Sequence, residues 1–311
     1  MVNSGPTPLR KLIILKTKKS NGHDDIPVLF LKLTKNLISV PLSKIYNLSI
    51  KNNTYPTDLK LAKVSPIYKN GSPQSANNYR PISVLTHINK IFEKVLFSRL
   101  SSHLTENKIL FDYQFGFWEG HSTTQVLTEL TDNLKTAIDN GKYSCGIFID
   151  LTKVFDTVDH SILIDKLNYY GISGDSNNLL KSYLENRAQY VEISNIKSSL
   201  KKISCGVPQG SVLGPLLFLL YINDLPNCSK IGKFRIFADD TAIFVDVEDP
   251  NELPNIIESI MNQVCDWFGA NKLTLNLSKS NFVFLDLLKI KINHFQTKQL
   301  LEIRTSPELL T

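Results

Sequence analysis

Two adjacent carboxylates, Asp239 and Asp240, interrupt an otherwise apolar stretch, and no other feature constrains this chain as tightly. Phe234-Arg-Ile-Phe-Ala precedes them and Thr241-Ala-Ile-Phe-Val follows. Two short apolar runs joined at a polar pair read as a hairpin with acids at its tip. Tyr143 to Leu151 is another short apolar run, and it ends in a third acid, Asp150. A lone Asp at a strand end is ordinarily a solvated group. An adjacent pair is harder to dismiss: its members repel, and Arg235, four residues back, cannot balance both. A divalent cation would. Carboxylates from two strand ends can clamp two metals roughly 3.5–4 Å apart, which activate an attacking oxygen and stabilise a leaving phosphate. Mg²⁺ is the expected ion, because it takes few carboxylates and completes its shell with water and phosphate.

The remaining sequence bounds the setting. Its 311 residues are 42% apolar and 21% charged, an ordinary globular composition that excludes disordered, collagen-like and disulfide-scaffold chains. The net charge of +6 is unevenly spread. Residues 1–90 hold 14 Lys/Arg and 3 Asp/Glu, whereas residues 91–311 hold 21 and 26. A basic first part suggests a polyanionic partner. The four cysteines (Cys145, Cys205, Cys228, Cys265) form no C-x-x-C pair, so neither a zinc site nor a disulfide framework follows, and reduced thiols point to an intracellular protein. The longest apolar stretch, Leu216 to Ile222, is far short of the roughly 20 residues of a membrane span.

Helical spacing predicts a helix over Leu29 to Ile50, with an apolar face of Leu29, Leu33, Leu37, Val40 and Ile45 and a kink at Pro41. It predicts others over Asn89 to Leu104, Ser122 to Ile138 and Ile256 to Phe268. Lys60 to Tyr68, Leu273 to Leu277 and Asn281 to Leu285 read as strands. Helices interleaved with a few mainly antiparallel strands suggest an α+β protein.

At this point the motifs resemble one family. Ile147-Phe-Ile-Asp-Leu-Thr-Lys-Val-Phe-Asp-Thr-Val-Asp-His160 is similar to the first palm motif of reverse transcriptases from non-LTR (LINE-type, jockey-like) retrotransposons. Gly206-Val-Pro-Gln-Gly-Ser-Val-Leu-Gly-Pro-Leu-Leu-Phe218 with Tyr221-Ile-Asn-Asp224 resembles the second. Phe237-Ala-Asp-Asp240 resembles the third, and Asn271-Lys-Leu-Thr-Leu-Asn-Leu-Ser-Lys279 the fourth. Asn78-Tyr-Arg-Pro-Ile-Ser83, Lys90-Ile-Phe-Glu93 and Gln114-Phe-Gly-Phe117 with Gly120-His-Ser-Thr123 resemble fingers-side motifs, and Ser20 to Pro27 the start of the domain. The match runs over about residues 20–285 in the family's order.

The resemblance implies a right-hand polymerase of fingers and palm, with an antiparallel palm sheet backed by helices. It implies a basic flank over 1–19, a reverse transcriptase domain over 20–285 with fingers and palm interleaved, and a divergent tail over 286–311. A thumb would be largely missing, since only 26 residues follow Leu285. The implied activity is RNA-directed DNA polymerase, a nucleotidyltransferase that extends a primer 3′-hydroxyl with dNTPs on an RNA template. By position, Asp150, Asp239 and Asp240 would hold two Mg²⁺ ions (Mn²⁺ as a substitute), with the Leu151 backbone carbonyl as a further ligand. Lys69 and Arg80 would grip the triphosphate, which suits the forked donor of Arg. Phe155 would be the steric gate against a ribose 2′-hydroxyl. Gln209 and Gly210 would lie along the dNTP and template, and Lys279 would act as an acid toward the pyrophosphate. Asp156 and Asp159 read as structural caps, and His121 and His160 are given no catalytic role.

The sequence also departs from the family. Val154 replaces the usual Ala before the gate, and overpacking there costs about 1–3 kcal/mol. Trp118-Glu119 removes a positive charge and adds a negative one. These departures and the short tail support an alternative, a truncated relic that binds nucleic acid without polymerising. An RNA-templated RNA polymerase is opposed by Phe155, and a maturase-like splicing factor by the lack of a basic C-terminal domain. Which RNA is copied, the oligomeric state, and nucleus versus cytoplasm stay open.

Overall fold

A computed structural model describes residues 20–118, 120, 122–285 and 290–294. In chain order the main elements are α1 (Val28–Leu33), α2 (Lys35–Lys51), β1 (Leu61–Tyr68), β2 (Tyr79–Val84), α3 (His87–Glu106), α4 (Thr123–Asp139) and β3 (Tyr143–Ile149). Then follow α5 (Val154–Thr157), α6 (His160–Tyr169), α7 (Asp175–Leu184), β4 (Arg187–Ile193), β5 (Ile196–Lys197) and β6 (Lys201–Ile203). The last are α8 (Leu213–Ile222), β7 (Lys233–Phe237), β8 (Asp240–Val247), α9 (Leu253–Ala270), β9 (Asn281–Leu285) and β10 (Ile290–His294). The protein is therefore α+β, as expected. It divides into two units, one of Met1–Ile109 with Val158–Leu220 and one of Leu110–Thr157 with Tyr221–Thr311.

The first unit contains a sheet of order β2-β1-β4-β5, with β6 also paired to β4. β1 runs antiparallel to β2 and parallel to β4. Its core helix is α3, whose Thr86 cap accepts the Asn89 N–H. Ile91, Phe92, Val95, Leu96, Leu100 and Leu104 recur at helical spacing and are buried. Phe92 stacks between Tyr46 at 4.4 Å and Tyr55 at 5.0 Å, so it joins α2 and the segment before β1 to α3. Asp159 caps α6 by accepting the Ser161 and Ile162 N–H groups, as the sequence suggests. Asp156 instead lies inside the short α5.

The second unit contains a wholly antiparallel sheet of order β10-β9-β3-β8-β7. β3 is its middle strand, and Cys145, Ile147 and Ile149 are buried along it. Helix α4 begins with a capping box between Ser122 and Gln125. Helix α9 buries Leu253, Ile257, Ile260, Met261, Val264 and Phe268. Helix α8, whose residues up to Leu220 belong to the first unit, is apolar all round, and Leu213 and Leu216 to Ile222 are at most 1% exposed, as a fully enclosed helix requires.

Three sequence expectations change here. The helix expected over Leu29 to Ile50 is two helices broken at Thr34, with Pro41 accommodated inside the second. Its expected apolar face is the exposed one: Leu29, Leu33, Leu37, Val40 and Ile45 are 50–78% exposed, while Val28, Leu31, Leu42 and Tyr46 are buried. Both faces carry apolar residues, so periodicity alone picks the wrong one. The strand expected over Leu273 to Leu277 is reduced to a single bridge between Leu275 and Leu151. Glu119, His121, the basic flank 1–19 and most of the tail fall outside the described residues. No helix among the described residues is long and apolar enough to cross a membrane.

Candidate active site

β3 carries its apolar run to Ile149, where the register pairs Ile149 with Thr241 of β8. Continued one residue past that last pair, the ladder brings Asp150 level with Asp240, and the Asp150 charge acts on the Asp240 carboxyl. β7 and β8 close as a hairpin in which Phe237 pairs with Asp240, leaving Ala238 and Asp239 as a two-residue turn. Ala238 has φ +57°, the left-handed region, and Asp239 does not share it. A turn positive only at its first central residue ordinarily takes glycine there. Ala in this conformation costs roughly 1–2 kcal/mol. The three sequence-singled acids thus meet at one end of one sheet, two by ladder register and one by turn geometry.

Asp150 is held from several sides. Its N–H donates to Ser280 Oγ at 3.2 Å, and its carbonyl accepts the Asn276 N–H at 2.9 Å. The Asn276 Nδ2 amide donates to Asp150 Oδ2 at 2.7 Å. Lys279 Nζ stands 3.7 Å from the same oxygen. The bridge to Leu275 is made by the Asp150 carbonyl and the Thr152 N–H, so it does not consume the Leu151 carbonyl. Partial desolvation pushes the Asp240 carboxyl up, the charges of Asp239 and Asp150 push it further, and Lys279 draws it back. Negative charge thus accumulates around Asp240, with Lys279 as the cation acting on it.

Among the described residues, no group of three or more His, Cys, Asp or Glu side chains is arranged to hold a metal ion by itself, and Asp150, Asp239 and Asp240 do not form one. The site is instead a partial, hard-oxygen donor set with excess negative charge. That fits Mg²⁺, which keeps several ligand positions for water and phosphate, better than a metal held by protein alone.

Phe155 lies in α5, just after Lys153 at φ +48°, and its ring meets Phe117 edge-on at 6.0 Å. Val154 before it is buried. Asn276 and Ser280 were not singled out in the sequence. Asn276 is the one polar side chain alternating with leucines in Leu275-Asn-Leu277, and that interruption was the available signal.

The other candidates belong to the first unit. Lys69 follows β1, and its N–H donates to the Asn78 carbonyl at 2.8 Å, which extends the β1–β2 ladder by one pair. Arg80 pairs with Ile67. Positions 67 and 69 share a face, so Lys69 and Arg80 are diagonal neighbours on one side of the hairpin. Both are exposed. Gln209 and Gly210 dock on the same strand. The Ser83 N–H donates to the Gln209 carbonyl at 2.7 Å. Gly210 has φ +110°, and a Cβ there would sit 2.9 Å from the Ser83 carbonyl oxygen. Only glycine fits this approach. His160 is structural, its Nε2 lying 2.7 Å from the Gly206 carbonyl oxygen.

A profile described as reverse transcriptase (RNA-dependent DNA polymerase) matches residues 67–302. The chain belongs to the reverse transcriptase family. It is 35% identical over 280 residues to a probable RNA-directed DNA polymerase from transposon BS of Drosophila melanogaster, covering 86% of this chain and 30% of that protein. It is 32% identical over 294 residues to the probable RNA-directed DNA polymerase from transposon X-element of the same species, covering 91% and 32%. It is 32% identical over 273 residues to the RNA-directed DNA polymerase from its mobile element jockey, covering 85% and 30%. This reverse transcriptase chain thus spans about a third of the length of these relatives. Among solved structures, telomerase from Candida albicans, in complex with a fragment of telomeric RNA, matches 80% of this chain and 46% of its own. Its TM-score is 0.55 at 13% identity, a likeness of fold.

Proposed function

We propose that this chain carries the polymerase centre of an RNA-directed DNA polymerase of a non-LTR retrotransposon. The observation that supports it most is the register that sets Asp150 beside Asp240, with Asp239 on the adjoining turn. In this reading the antiparallel sheet of the second unit is the palm, and the β1–β2 hairpin belongs to the fingers. The reverse transcriptase domain is 20–285, between the basic flank and the tail.

Asp150, Asp239 and Asp240 would hold two Mg²⁺ ions, with Mn²⁺ as a substitute, and the Leu151 carbonyl would be a further ligand. When bound, these ions supply Lewis-acid stabilisation of the primer 3′-oxygen and the leaving pyrophosphate. The chain's own groups do the rest. Asn276 and Ser280 hold Asp150 in place. Lys69 and Arg80 present cations on one hairpin face to the triphosphate, and Gln209 and Gly210 offer backbone at close approach. Lys279 stands where it can neutralise carboxylate charge before the dNTP arrives and donate a proton to pyrophosphate afterwards. RNA template, DNA primer and dNTPs are the partners, and binding of the nucleic acid is electrostatic and salt-dependent.

The test is primer extension on an RNA template with an annealed DNA primer, Mg²⁺ and dNTPs. Extension that stops on chelation supports the reading. Primer–template held in a gel shift without extension identifies a non-polymerising relic instead. A separate expectation concerns Phe155. Phe155→Val opens the space in front of the sugar and lowers dNTP-over-rNTP discrimination by about 10- to 100-fold, by the logic of pocket exclusion. Single-nucleotide incorporation with each sugar reads this, and unchanged discrimination removes Phe155 as the gate.

A further inference from the structure

Ala238 does not hold its left-handed conformation by its own preference, and a neighbouring segment of the same unit holds it there. The segment from Tyr113 to Gly116 lies parallel to β7. The Ile236 N–H donates to the Tyr113 carbonyl at 3.0 Å, and the Phe115 N–H donates to the Ile236 carbonyl at 2.8 Å. The ring of Tyr113 lies 3.8 Å beneath the Arg235 guanidinium, which fastens the segment further to β7. At the end of this segment the Gln114 side chain is 4% exposed. Its Oε1 accepts two backbone N–H groups, from Gly116 at 2.9 Å and from Ala238 at 3.3 Å. A Cβ on Gly116 would fall 2.1 Å from the Ala238 nitrogen, so the two backbones are in direct contact.

We propose that Gln114 is a positioning residue for Asp239: its side-chain carbonyl and the bare backbone of Gly116 set the Ala238 peptide, and thereby the turn that aims the Asp239 carboxylate. This rests on the polymerase reading above for its consequence, but not for its geometry. The family resemblance sets Gln114 and Gly116 among fingers-side motifs; in the structure they lie in the same unit as the acids and brace the hairpin that carries Asp239 and Asp240. Gln114 acts on the turn through one peptide group, that of Ala238.

Gln114→Met keeps the length of the side chain and removes the acceptor, and Gln114→Glu keeps an acceptor. Amide hydrogen exchange reads the hydrogen bond without any activity. In Gln114→Met the Ala238 amide should exchange at least about 10-fold faster, with the amides of Thr241 to Val247 unchanged. The turnover number for incorporation should fall about 10- to 100-fold, the cost of an ångström-scale misplacement, while the KM for dNTP stays within about threefold. Gln114→Glu should restore Ala238 protection and most of the turnover. Unchanged Ala238 exchange in Gln114→Met overturns the proposal. So does loss of protection along all of β8, which is a merely structural role. A wild-type chain that does not extend a primer overturns the polymerase reading, and the exchange data then decide the positioning claim alone.

Discussion

Asp239→Asn should lower nucleotide incorporation by about 10³-fold while leaving primer–template binding within a few-fold of wild type. Asn matches Asp in shape and suits a turn, so the β7–β8 hairpin keeps its register and only the charge is lost. The charge is what the proposed chemistry needs, since a neutral amide oxygen is a poor ligand for a hard divalent ion. Template binding, in the proposed reading, would be electrostatic and spread over many cations, so the loss of one acid should leave it nearly unchanged. A second readout is independent of turnover. The charge of Asp239 is one of the causes that push the Asp240 carboxyl above its ordinary range. Removing it should therefore move the Asp240 titration to lower pH, measurable by carboxyl-carbon NMR in metal-free protein. Incorporation near the wild-type rate, or an Asp240 titration that does not move, would falsify the assignment of these acids to one charged cluster.

This cluster was legible in the sequence because acids terminate apolar runs that can only be strands. Asp150 ends one and Asp239-Asp240 separate two, and the ladder places such ends side by side. Helices α3, α4 and α9 were legible for the same kind of reason, a single apolar stripe. The first helices were not, because α1 and α2 carry leucines on both faces and the wrong face was assigned to the core. Strands β4, β5 and β6 gave little warning, since Arg187–Ile193 alternates weakly and its partners are short and polar. The supports of the site were hidden most completely. Nothing in the spacing of Gln114 says that its amide reaches a peptide 124 residues away. Asn276 reaches Asp150 across 126 residues. Such bonds are set by tertiary packing, which local patterns do not encode.

Glu93→Leu should destabilise the first unit by about 3–5 kcal/mol, the cost of removing one partner from a buried charged network. Glu93 has no exposed surface. Its Oε1 accepts the Asn89 amide at 3.0 Å and the Tyr183 hydroxyl at 2.9 Å, and its Oε2 accepts the Val212 N–H at 2.6 Å. Burial pushes its carboxyl up, and the Val212 N–H, Arg187, Tyr183 and Asn89 draw it back. Arg187 is also fully buried and donates to the Tyr183 carbonyl at 3.1 Å, but its Nε and second terminal nitrogen find no hydrogen-bond partner among the described residues. Leucine at 93 fills similar space yet strands three donors and leaves Arg187 without its counter-charge. Arg187→Met removes unsatisfied donors along with the charge, so it should cost less than Glu93→Leu. The double variant should then cost clearly less than the sum of the two, because neither buried charge remains. Denaturant unfolding of all three variants measures this, and additive losses would show that the two groups do not feel each other. Within the first unit the network also reaches the Gln209–Gly210 loop. Val212 follows the Gln209–Gly210 loop, so Glu93 anchors that loop from behind while the Ser83 N–H holds its front. Loss of Glu93 should therefore raise the KM for dNTP at temperatures where the variant is still folded, an effect that instability alone does not produce.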